Sequence, residues 1–396
     1  MTKYSLSDVA AVESGAGFPI CDQGSQDGEF PFLKVSDMNL LGNERAIRSW
    51  NNSVSEQVRV KLRAKAFPGG SLIFPKIGAA IGTNKKRQLT RPSCVDNNVM
   101  GVIPNADRLD SDFLYFLFLS KDLSDFASDS NPPSIRKSDV ENWRIRVPKL
   151  QEQHRIVDLL SRAEGIVRLR REAEKKAAEL IPALFLDMFG DPTTNPKGWP
   201  VQPLKDLVSF VSGGTPAKSR DDYWRGDLPW VSPKDMKRVG IDSAIDQINR
   251  KVLSETSIKL IPPGAILVVV RGMILVHTVP IAQSLVPLTI NQDMKALIPF
   301  ESLNVTYLLW SLRVRQGQLL SLVSTAAHGT KKLETERLEE FQVPLPPLEE
   351  QKRFSDRLVS VEAIQVQQST ATAKAQAAFD ALLAKCFDQG TQACPA

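Results

Sequence analysis

The chain has 396 residues, of which 42% are hydrophobic and 24% charged, with a net charge of +5 at pH 7. That length is two or three domains of ordinary size, and the composition excludes a disordered or collagen-like chain. No apolar run approaches the roughly 18 residues of a membrane span, and Met1-Thr2-Lys3-Tyr4-Ser5 leads into no apolar core of a secretion signal. The cysteines Cys21, Cys94, Cys386 and Cys394 are scattered without a C-x-x-C pair. No disulfide framework or zinc ribbon is expected, and the reducing cytoplasm is the expected compartment.

Residues 1–148 read as a first mixed region. Short apolar runs at 71–74 and 99–103, bounded by turn residues such as Pro68-Gly69-Gly70, predict strands. The segment 112–119 predicts a helix. Between Gln57 and Val95 stand nine basic residues and no acidic one: Arg59, Lys61, Arg63, Lys65, Lys76, Lys85, Lys86, Arg87 and Arg91. Such a run either lies on a solvated face or attracts phosphates. Lys76, Lys85, Lys86, Arg87 and Arg91 are the candidate contacts here. Residues 149–190 then read as one long helix. From Gln151 to Ile181 there is no proline and only one glycine. Ile156, Leu160, Ala163 and Ile166 recur at steps of three and four, an apolar stripe. A 31-residue helix spans about 46 Å, and Pro182 is expected to kink or end it.

Residues 191–200, with three Pro and two Thr, form a linker. Residues 201–346 read as a second mixed region, with strands at 266–270 and 295–298 and a helix at 305–312. Its candidate nucleic-acid contacts are Lys218, Arg220, Lys234, Lys237, Arg238 and Arg271. Residues 347–389 form a second long helix with Phe354, Leu358, Val361 and Ile364 on its apolar stripe, and 390–396 are a tail.

The two halves are copies. Val147-Pro148-Lys149-Leu150-Gln151-Glu152-Gln153 matches Leu345-Pro346-Pro347-Leu348-Glu349-Glu350-Gln351 at an offset of 198. The same offset pairs Leu6, Asp8 and Gly15 with Leu204, Asp206 and Gly213, and Phe189 with Phe387. An ancient tandem duplication is the reading. The expected fold class is α/β (α+β): two similar globular domains with a mostly β core, joined by two long antiparallel coiled-coil-like helices.

Catalytic signatures are missing from the sequence. The three histidines, His154, His277 and His328, have no ligand spacing, and there is no P-loop and no G-x-S-x-G. Asn131-Pro132-Pro133-Ser134 approaches the Asn-Pro-Pro-aromatic signature of amino-methyltransferases, but Ser134 has no π face to stack on a flipped base. A turn is the plainer reading. No metal or cofactor site is expected.

The chain closely resembles the specificity subunits of type I restriction-modification systems, often called HsdS. The resemblance is carried by the Pro-Leu-Glu-Glu-Gln helix start and its earlier partner, by Phe189-Gly190-Asp191-Pro192 leading to Gly198-Trp199-Pro200, by Arg271-Gly272-Met273-Ile274 and by Ile290-Asn291-Gln292-Asp293-Met294-Lys295. It covers essentially the whole chain, although the first copy lacks a Gly-Trp-Pro lead. The resemblance implies two target-recognition domains, each reading one half of a bipartite site in double-stranded DNA. It implies a helix pair that sets the gap and docks two modification (methyltransferase) subunits, with restriction (translocase/nuclease) subunits joining them. The chain itself would be non-catalytic. An autonomous adenine methyltransferase and a structural adaptor are the alternatives.

Overall fold

The computed structural model describes residues 3–325 and 329–387. These form two compact units: the described residues up to 172 together with those from 370, and residues 173–369. His328 lies outside the described residues, as does the tail.

The first unit contains strands β1 (Lys3–Ser5), β2 (Ala10–Ser14), β3 (Phe30–Leu33), β4 (Ala46–Ile47), β5 (Ser53–Val54), β6 (Leu72–Pro75), β7 (Arg87–Leu89), β8 (Cys94–Val95), β9 (Val99–Pro104) and β10 (Arg144–Arg146). They make a five-stranded sheet in the order β2-β9-β6-β7-β4, a three-stranded sheet β5-β3-β8 and a pair β1-β10. The second unit contains β11 (Val201–Pro203), β12 (Val208–Ser212), β13 (Leu228–Val231), β14 (Gly240–Ile241), β15 (Asp246–Ile248), β16 (Ile266–Val269), β17 (Ile281–Ser284), β18 (Thr289–Ile290), β19 (Met294–Pro299), β20 (Ser324–Thr325), β21 (Lys331–Lys332) and β22 (Gln342–Pro344). Its sheets are β12-β19-β16-β17-β14, β15-β13-β18 and β11-β22, the same three in the same order, with β20-β21 added. Even the exceptions repeat: β3–β8 and β4–β7 are parallel pairs, as are β13–β18 and β14–β17. The duplication is therefore structural.

One buried residue explains why the repeated Gln survives in both copies. Gln153 and Gln351 are almost completely buried. Gln153 Oε1 accepts the N–H of Asp110 at 2.8 Å, and its Nε2 donates to the carbonyls of Arg108 and Pro148, both at 2.8 Å. Gln351 Oε1 accepts the N–H of Asn304 at 2.9 Å, and its Nε2 donates to the Pro346 carbonyl at 2.8 Å. Asp110 and Asn304 are themselves the N-caps of the helices Ser111–Leu119 and Val305–Val314. In each copy the glutamine thus ties the start of a long helix to the cap of the helix packed on the sheet.

The long helices are Leu150–Phe189 and Leu348–Phe387, 40 residues each. At 1.5 Å per residue that is about 60 Å. Each begins in one unit and ends in the other. In the second unit Gln365 Nε2 donates to the Ala177 carbonyl at 2.7 Å, while Phe185 packs on Phe354 at 5.4 Å, so the segments run antiparallel. Pro182 does not end the first helix. Ile181 and Phe185 on either side of it are buried in the core of the second unit, and that packing outweighs the lost hydrogen bond. The helix stops instead at Gly190, whose φ of +77° suits a residue without Cβ and whose N–H closes on Leu186 at 2.8 Å.

The apolar stripe is partly as expected. Ile156, Leu160, Phe354 and Leu358 are buried, and Ala163 and Val361 are half-buried against the cores. Ile166 and Ile364 are not: they are 54% and 44% exposed. Val167, Phe379 and Leu383 fill the first unit's core instead. One residue is about 100° around a helix, enough to carry a side chain off the seam.

The first unit has a polar clamp without a counterpart among the described residues of the second. Arg45, just before β4, bonds Glu164 of the first long helix at 2.6 Å and Asp112 at 2.7 Å. Its guanidinium lies 4.8 Å from the ring centre of Tyr115, whose hydroxyl donates to Glu164 at 3.1 Å. Glu362, the counterpart of Glu164 at the 198 offset, is exposed.

Candidate nucleic-acid interface

The ends of β2 and β6 bring several loops together in the first unit, and β12 and β16 do so in the second. Gly78 and Gly272 follow the central strands with φ of +72° and +129°. Their N–H groups bond the carbonyls of Pro133 at 2.8 Å and Lys331 at 3.0 Å. Ile77 bridges Ser134, and Arg271 bridges Lys332. The Asn131–Ser134 stretch is thus a surface loop stitched to the turn after β6.

The basic run of the first unit looks different once folded. Arg59 pairs with Glu56 at 2.5 Å, Lys61 with Asp22 at 3.1 Å and Lys65 with Glu13 at 2.8 Å. These carboxylates lie outside the acid-free window. Lys86 is a correction to the expected interface: it is 2% exposed, with its ammonium donating to Asn84 Oδ1 and the Lys121 carbonyl, both at 2.7 Å. It presents no charge to a phosphate. Arg87 is half-buried and spends its Nη atoms on the carbonyls of Lys86 at 2.8 Å and Met38 at 3.1 Å. Lys76 donates to Ser14 Oγ at 3.1 Å, and Lys85 to Asn39 Oδ1. Arg91 is exposed, bonded to the Glu29 carbonyl at 3.2 Å.

In the second unit Arg220 pairs with Asp222 at 2.8 Å and Glu255 at 3.4 Å. The Asp222 hydrogen bond raises its pKa. Lys234 pairs with Asp246 at 2.7 Å and Arg238 with Asp242 at 2.9 Å. Lys218, Lys237 and Arg271 are exposed and have no carboxylate partner among the described residues. They are the uncompensated cations of this face. Lys295, not singled out by sequence, donates to Ser212 Oγ at 2.8 Å and so puts an ammonium where Lys76 puts one beside Ser14 in the first unit. The two serines match at the 198 offset but the lysines come from β19 and from the end of β6, so alignment of the halves does not reveal them.

Burial pulls the Lys86 ammonium from 10.5 down to about 8, with Asp122 opposing. Between those values the unfolded chain holds the extra proton, so this group's contribution makes the fold more stable as pH rises through that window. The urea midpoint should climb between pH 8 and 10, and less so in Lys86→Met. Equal climbs in both proteins would contradict the assignment.

His154 is exposed, with Nε2 3.6 Å from Asp110, and His277 is exposed at the end of the turn Met273–Val276. Among the described residues no cluster of His, Cys, Asp or Glu could hold a metal ion, and no helix is long and apolar enough to cross a membrane.

The sequence matches the family described as type I restriction modification DNA specificity domain twice, over residues 1–179 and 196–375. The chain belongs to this family. Among curated members it is similar to the type I restriction enzyme EcoR124I/EcoR124II specificity subunit of Escherichia coli, 36% identical over 156 residues, 39% of each chain. It is also similar to the MjaIX specificity subunit of Methanocaldococcus jannaschii, 31% identical over 164 residues, 40% of this chain and 37% of that one. These matches span about two fifths of the relatives' length. A longer match, 19% identical, covers 75% of this chain and 81% of the HindI specificity subunit of Haemophilus influenzae. Among solved structures, a chain from a study of complex assembly and conformational transition of the type I R-M system aligns over 98% of both chains, with a TM-score of 0.65 and 21% identity. The S subunit from M. genitalium aligns over 98% of this chain and 96% of its own, with a TM-score of 0.52 and 14% identity. At these identities the likeness speaks for the fold of the specificity family.

Proposed function

We propose that the chain is the DNA-reading, non-catalytic subunit of a type I restriction-modification complex in the cytoplasm. Each mixed region reads one half of a bipartite site in duplex DNA. The long helices set the gap and dock two modification subunits, and restriction subunits join that assembly. The observation that carries the reading is the double one: identical sheet orders in the two units, with different charged side chains on the matching loops. A repeated scaffold with diverged loops suits two half-sites of different sequence. Exposed apolar residues on the long helices, Ile166 and Leu169 in the first unit and Val359 and Val366 in the second, suit a protein partner.

Exchange of residues 1–148 for those of another family member, in the complex reconstituted with modification subunits, should change one half of the methylated site completely and leave the other half intact. A change in both halves, or methylation without sequence preference, would refute the reading. The autonomous methyltransferase gains no support from Asn131–Ser134, a loop with no aromatic residue in the fourth position.

A further inference from the structure

Most of the cations discussed so far sit at the surface; a half-buried guanidinium of the second unit stands apart from them. Arg313 stands in the helix Val305–Val314. Its Nη1 donates to the Ile281 carbonyl at 2.6 Å, and its Nε is buried with no hydrogen-bond partner. Burial holds its pKa below the usual arginine value. Arg313 lines a cavity of about 500 Å³ whose walls also carry Lys234, Lys237, Arg238 and Thr278, with no Asp or Glu among the lining residues. A buried N–H without an acceptor costs free energy, and more so when the donor is charged. Lys234 and Arg238 are already paired with Asp246 and Asp242, which leaves Lys237 and Arg313 as the cations of this cavity open to an anion carrying several acceptor oxygens.

The first unit reaches a similar arrangement from different residues. Met38 and Asn39 correspond to Met236 and Lys237 at the 198 offset, and Arg87 and Ile281 each open the matching strands β7 and β17. Arg87 Nη2 donates to the Met38 carbonyl at 3.1 Å, and its Nε is likewise buried without a partner. Lys85 bonds Asn39. Each unit therefore places an arginine with an orphaned Nε and a lysine beside the same loop. The arginine comes from a strand in one unit and from a helix in the other.

We propose that the cavity of the second unit holds a backbone phosphate of the duplex, with Arg313 and Lys237 as its ligands, and that Lys85, beside the half-buried Arg87, takes the matching phosphate in the first unit. This rests on the DNA-reading function above. Such contacts fix register on the duplex and carry no base information.

The test is a salt titration of target-duplex binding by the complex of the full chain with its modification subunits. Lys237→Ala and Arg313→Gln should each weaken binding about tenfold, as loss of a charged hydrogen bond does, and reduce the slope of log K against log salt by about 0.9. They should weaken target and non-target duplexes alike. Lys237 is exposed, so its variant should keep the thermal midpoint of the parent and separates lost binding from lost folding. If the parent complex shows sequence preference and Lys237→Ala retains both affinity and slope, the phosphate site is refuted alone. If the parent shows no preference for any duplex, the DNA reading falls and the site with it. Calorimetry with inorganic phosphate forms the second arm. Phosphate binding that Lys237→Ala abolishes while duplex affinity stays intact would assign the cavity to a free phosphate and overturn the proposal.

Discussion

Phe185→Ala should destabilise the second unit by about 3–5 kcal/mol, the range for a buried Phe cut back to Ala. Phe185 is fully buried, with ring contacts to Phe189 at 4.9 Å, Tyr307 at 5.6 Å and Phe354 at 5.4 Å. Those rings come from the end of the first long helix, the helix packed on the sheet and the start of the second long helix. Truncation leaves a cavity at the point where three elements meet, and aromatic pairs lose about 0.5–1.5 kcal/mol each beyond the lost area. For a unit of this size the thermal midpoint should fall by roughly 10 °C. Scanning calorimetry checks it, and a curve superimposable on the parent's would contradict the packing described.

Gln351→Leu should cost about 2–5 kcal/mol. The substitution removes no volume of note, so the effect comes from polar groups left behind. The Asn304 N–H and the Pro346 carbonyl would each lose the partner they now have at 2.9 and 2.8 Å. A buried group without a partner costs about 1–3 kcal/mol. Lys352→Leu, one residue on and exposed, is the control and should stay within about 0.5 kcal/mol. Urea denaturation measures both. Equal midpoints for the two variants would show that the repeated glutamine is a surface feature rather than a tie between helix and cap.

Much of the fold was legible because the duplication compares the chain with itself. Gln153 and Gln351 stand out at one offset, and each uses both the acceptor and the donor of its buried amide. The strand runs at 72–75 and 266–269 were visible because both copies are apolar throughout. The interface was harder to read. A window of sequence contains no acid between 57 and 95, but Glu13, Asp22 and Glu56 reach in from outside it. Lys86 has the same formula as Lys85 and only the fold buries it. Ile166 fits an apolar step as well as Val167 does, and only the packed partner decides between positions 100° apart. Arg313 carries no motif; what marks it is an orphaned nitrogen beside a cavity, which no spacing encodes.

The exchange of helix ends between the units also orders events during synthesis. The second unit is a continuous stretch, residues 173–369, and all of it leaves the ribosome before residue 370 does. The first unit is begun earlier but its core is closed later, because Phe379 packs on Phe116 and Phe387 on Phe113. Until those residues emerge, Phe113 and Phe116 lack the two rings that complete their packing. The half of the chain that is made first is thus finished last, and it carries the greater exposure to aggregation while it waits.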